Sequence, residues 1–81
     1  MKISDVVYKN LEIITGLSEA ELRDMPELDL KKEELVDSLS IAELMTAIGA
    51  ELGKKIDLKR FAAEDFSSIT RLINAVERQC A

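Results

Sequence analysis

The sequence predicts an all-α fold, a small bundle of three substantial helices and one short one. Three observations carry this. Apolar residues recur at spacings of three and four in three separate segments. Strict apolar–polar alternation never runs beyond a few positions, so there is almost no strand signal. Glycine, proline and serine stand where those segments end or begin. At 81 residues the chain forms one domain, 1–81, close to the lower size at which a core holds without a staple.

The first helix spans roughly 2–15 and places Ile3, Val6, Val7, Leu11 and Ile14 on one face, with Gly16 as its C-cap. Ser18-Glu19-Ala20-Glu21 has the pattern of a capping box and starts one short helical turn. Pro26 stops that turn near Met25. A loop then runs from Pro26 to Asp37, pinned across the core by Leu28, Leu30, Leu35 and Val36. The second long helix begins around Ser38 and carries Ile41, Leu44, Met45, Ile48 and Leu52 inward, up to Gly53. Asp37 or Ser38 is its N-cap, and Ser40 with Glu43 forms a second possible capping box. Leu58 to Ala62 forms a brief helix led by Asp57. The last helix follows Asp65, capped by Ser67 or Ser68, and buries Ile69, Leu72, Ile73 and Val76. Arg78, near its end, complements the helix dipole.

Composition removes several classes of function. There is no His, and Cys80 is the one cysteine. A Cys/His dyad, a zinc site and an intrachain disulfide are therefore excluded or nearly so, and Cys80 reads as an exposed bystander. A nucleophile has no base beside it, and no lysine sits next to a serine in an apolar run. Gly16, Gly49 and Gly53 make no phosphate-cradling loop. The chain is thus expected not to be an enzyme. The net charge of −5 opposes a nucleic-acid partner. A helix-turn-helix reading would need the basic cluster Lys54, Lys55, Lys59 and Arg60 to outweigh it. No apolar run reaches the length of a membrane span, and residues 1–5 carry no signal-peptide pattern, so a cytoplasmic protein without membrane insertion is expected.

The charge is unevenly spread. Residues 19–37 carry all of the −5, eight acidic side chains against Arg23, Lys31 and Lys32, while both flanking parts are neutral. Such a segment is either a solvated loop or a docking surface for basic partners.

One short run remains, Leu35-Val36-Asp37-Ser38-Leu39-Ser40. By itself it is a helix cap. A serine at that place is also exposed, near the positive end of a helix dipole, where a phosphodiester is favoured.

The chain resembles an acyl or peptidyl carrier protein over nearly its full length. The resemblance rests on Asp37-Ser38-Leu39 at the start of the second long helix, about halfway along a chain of the right size. The first helix, the acidic loop, the short helix and the closing Ile69–Val76 segment fall in the same order. It implies a four-helix, acyl-carrier-like bundle and a 4′-phosphopantetheine group on Ser38, flanked by Asp37 and Leu39. A phosphopantetheinyl transferase would install the arm from coenzyme A, and a loading ligase and downstream transferases would use it. The cargo would be an acyl or aminoacyl thioester. Leu39, Ala42, Glu43 and Thr46 would form the partner-recognition face, and the carrier would be a monomer. A groove lined by Leu39, Met45, Ile48, Ile56, Phe61 and Ala62 would shelter the cargo.

The chain departs from the fatty-acid carriers at Val36, where they usually have glycine, and at Ser40, where they usually have an acidic residue. Its Leu-x-Asp-Ser run is similar to that of D-alanyl carriers and of dedicated stand-alone carriers. The alternative is a small acidic interaction adaptor with no prosthetic group.

Overall fold

A computed structural model describes residues 2–80. Four α-helices follow in order: α1 (Ile3–Thr15), α2 (Glu19–Arg23), α3 (Ser38–Leu52) and α4 (Ile69–Cys80). Two 3₁₀ turns, Leu58–Arg60 and Ala63–Phe66, lie between α3 and α4. The fold is all-α, with no strand among the described residues.

Helix α1 packs against α2, α3 and α4. Val6, Val7 and Leu11 are buried from α1, Leu22 from α2, Ile41, Leu44, Met45 and Ile48 from α3, and Ile69, Leu72 and Val76 from α4. Apart from Leu22, these are the stripes that the periodicity marks out, with Ile3, Ile14, Leu52 and Ile73 only half-buried instead of buried. Tyr8 and Asn10 join the buried side of α1. A buried amide is costly unless it is bonded. The Asn10 side chain donates to the Val6 carbonyl at 2.8 Å and to Glu51 Oε1 at 3.4 Å, which ties α1 to the end of α3.

Helix ends follow local chemistry. Gly16 takes φ 79° and donates to the Glu12 carbonyl, closing α1. The capping box of α2 is complete: Ser18 accepts from the Glu21 amide, and the Glu21 carboxylate accepts from the Ser18 amide. Two expectations need correction. Ser40 and Glu43 form no capping box, because Asp37 already caps α3 and Ser40 lies inside the helix, its amide donating to Asp37. The brief helix expected over Leu58–Ala62 is shorter, a single 3₁₀ turn at Leu58–Arg60, led by Asp57 as expected. A second turn follows, in which Asp65 accepts from the Ala62 amide and packs Phe66 into the core. Ser68, not Ser67, caps α4 through the Arg71 amide. Arg78 at the far end also pairs with Asp65, at 3.4 Å.

The loop from Pro26 to Asp37 is stitched down. The Leu30 amide donates to the Phe66 carbonyl, and the Thr70 amide to the Pro26 carbonyl. Leu30 is fully buried and Val36 nearly so, with Leu28 and Leu35 half-buried. Glu34 turns the chain with φ 56°, an αL residue, and the Leu35 amide then returns to the Leu30 carbonyl.

Gly49 is required for a different reason from Gly16. It sits in the body of α3, where a Cβ would lie 2.7 Å from the Lys54 carbonyl oxygen. The chain leaving α3 bends back at Gly53 and crosses directly over it, with the Lys54 amide bonded to the Gly49 carbonyl. Gly49→Ala therefore forces the 53–56 segment outward. A loss of roughly 1–3 kcal/mol is expected despite the better helix propensity of alanine, read as a lower urea midpoint.

Candidate functional site

The candidate site is built on the first turn of α3. Asp37 stands in extended geometry just before the helix, and its carboxylate accepts the Ser40 amide at 2.8 Å. That bond comes first among the groups that hold the Asp37 carboxyl below its ordinary value, the Ser40 hydroxyl second. The charged cap is thus the favoured form at neutral pH.

Its sign with pH follows. A lowered carboxyl pKa contributes stability above the unfolded value, and that contribution disappears as the pH falls through the folded value. Asp37→Asn keeps a good capping side chain without the charge. Its stability relative to the parent should therefore be lowest near neutrality and recover on acidification into the carboxylate range, measured by urea unfolding across pH.

Ser38 is the first residue of α3 and is exposed. Its hydroxyl makes no hydrogen bond within the described residues. Leu39 is 70% exposed, a large apolar side chain held out in water at the helix start. Ala42 is half-buried, and Glu43 and Thr46 are exposed. With Leu39 they form one outward stripe along α3, as helical spacing requires. The Thr46 hydroxyl turns back to the Ala42 carbonyl.

The single groove expected between the second long helix and the short helix after it is instead two separate hollows. One, of about 510 Å³, lies at the far end of α3 and is bordered by Met45, Thr46, Gly49, Ala50, Lys54 and Ile56. The other, of about 220 Å³, opens beside Ser38, with Ile41, Phe61, Phe66, Leu58 and Lys31 around it and Ala62 and Ala63 at its edge. Leu39 borders neither, since it points into solvent, and Ile48 is fully buried in the core. The physical cause is the chain crossing at Gly49 and the double 3₁₀ turn, which divide what one straight helix would have left open.

Lys31, Leu58 and Phe66 are the site neighbours that sequence reasoning missed. The Phe61–Phe66 pair, with ring centroids 5.8 Å apart, was the available signal. The basic residues Lys54, Lys55, Lys59 and Arg60 are exposed. Cys80 is half-buried against the core, not an exposed thiol. Among the described residues, no cluster of His, Cys, Asp and Glu could hold a metal ion, and no helix is long and apolar enough to cross a membrane. No protein-family model matches the chain, and no curated protein matches it.

Proposed function

We propose that the chain is a carrier domain that bears a 4′-phosphopantetheine arm on Ser38 and presents acyl or aminoacyl thioesters to partner enzymes. One observation carries the reading: an unbonded, exposed serine hydroxyl at the first position of a long helix whose cap is supplied by its neighbour. Capping by Asp37 leaves the Ser38 hydroxyl with no structural duty. The helix N-terminus favours the negative charge of a phosphodiester, and Leu39 with Glu43 and Thr46 offers an adjacent face for a visiting enzyme.

The residues present fit the group chemically. The acceptor is a primary alcohol in solvent, the hollow beside it is lined largely by apolar side chains, and Lys31 at its rim supplies a cation. In the modification, the Ser38 oxygen attacks the pyrophosphate of coenzyme A at the phosphorus nearer the pantetheine. The bond to the second phosphate breaks, 3′,5′-ADP leaves, and the serine proton passes to a base of the transferase. When bound, the arm supplies the terminal thiol that carries the cargo. The chain itself holds the attachment point, orients it through the α3 cap and offers the recognition face. We place it with dedicated carriers, because Val36 and Ser40 depart from the fatty-acid pattern. The partners in this reading are a phosphopantetheinyl transferase, a loading ligase and downstream transferases, with the carrier a cytoplasmic monomer.

The test is intact mass after incubation with coenzyme A, magnesium and a promiscuous phosphopantetheinyl transferase, followed by peptide mapping. A gain of one phosphopantetheine on the peptide holding Ser38 is expected. No gain with several transferases, from folded and unmodified protein, would turn the assignment to an interaction adaptor that uses the acidic 19–37 segment.

A further inference from the structure

Lys31 belongs to the most acidic part of the chain, yet it makes no ion pair among the described residues. Its ammonium instead lies 5.5 Å from the centre of the Phe66 ring, within the range at which a ring face attracts a cation. Phe66 is buried and fixed by the second 3₁₀ turn, so the lysine is held above a rigid wall. The same ring forms one side of the 220 Å³ hollow on which Ser38 also opens. A cation, an apolar recess and an exposed hydroxyl thus share one small space, assembled from the acidic loop, the start of α3 and the two 3₁₀ turns.

We infer that this hollow seats the first apolar segment of an arm attached to Ser38, with Lys31 as counter-ion of the phosphodiester; the inference rests on the carrier reading above. The chemistry of the arm decides the occupant. Beyond the phosphate comes one methylene and then a quaternary carbon bearing two methyls, the most compact apolar group along its length. A hollow of about 220 Å³, open to solvent on one side, has room for the dimethyl carbon and its neighbours. Ile41, Phe61 and the half-exposed Leu58 line the hollow and give the methyls apolar contact. The phosphate, negative and tethered at the rim, meets the one cation there. The arm is thereby parked at its root while its thiol end stays free to reach a partner.

The test uses the full chain, modified by a transferase and shown by intact mass to carry one phosphopantetheine. Nuclear Overhauser contacts from the two methyls to the ring protons of Phe61 and Phe66 are expected, together with an upfield ring-current shift of both methyls. Lys31→Gln should weaken those contacts several-fold, and Lys31→Arg should keep them. Ala62→Leu, which narrows the hollow from its exposed edge, should reduce them without altering the phosphate. Methyl shifts equal to those of free coenzyme A, with no contact to either ring in fully modified protein, would overturn the seat and leave the carrier reading standing. Failure of the mass gain would instead remove the carrier reading, and the seat with it. The two failures are read by different instruments on the same sample.

Discussion

Ser38→Ala is expected to abolish modification completely while leaving the domain folded and close to its parent in stability. Ordinarily a serine at a helix start doubles as the cap, and its loss confuses a missing site with a damaged fold. Here the Asp37 carboxylate takes the Ser40 amide, and the Ser38 hydroxyl bonds to nothing among the described residues. Alanine at the first helical position is compatible with helix geometry and has the better propensity. A change within about 0.5 kcal/mol is therefore expected, the range of surface substitutions away from special features. Urea unfolding of parent and variant in parallel with intact mass checks both halves. An unmodified variant with a large drop in stability would show that Ser38 has a structural role.

Ile48→Ala is expected to cost about 3 kcal/mol, within the roughly 2–5 kcal/mol of such truncations. Ile48 is fully buried in α3, in the cluster to which α1, α2 and α4 all contribute. Domains of this size have total stabilities of about 4–12 kcal/mol, so the variant gives up a quarter or more of its margin. Each kcal/mol corresponds to about 4–8 °C in Tm at this length, and circular dichroism melts should show a fall above 10 °C. Ile48→Val, which removes one methylene, should cost about 1 kcal/mol. A cost for Ile48→Ala as small as that of the valine would mean that α3 does not seat this side chain as described.

What could be read in the sequence is whatever depends on neighbours along the chain. Ile41, Leu44, Ile48 and Leu52 mark a helix face because helical spacing is local, and Gly16 and Gly53 mark ends because positive φ is a property of one residue. Asp37 stood among the candidate caps for the same reason. Leu28, Leu30, Leu35 and Val36 marked a loop that lies on a core. The 58–66 stretch resisted, since a 3₁₀ turn of three or four residues is too short to show a period. Asn10 is buried through a bond to Glu51, forty-one positions away, which no local window contains. The hollow beside Ser38 draws on residues 31, 38, 41, 58, 61–63 and 66 together, so only the folded chain discloses it. The exposed serine at the start of α3 was legible; its surroundings were not.

The bond from the Leu30 amide to the Phe66 carbonyl turns the long loop into a clasp between the two halves of the chain. Leu30 is fully buried, so its amide proton is released to solvent only when residue 66 and the start of α4 swing away. In a hydrogen-exchange experiment this loop proton should behave like a core helix proton. It should exchange with the free energy of global unfolding, while its exposed neighbours at 32–34, bonded only within the loop, exchange through local opening and much faster. Connecting segments ordinarily soften a small domain. This one times its opening.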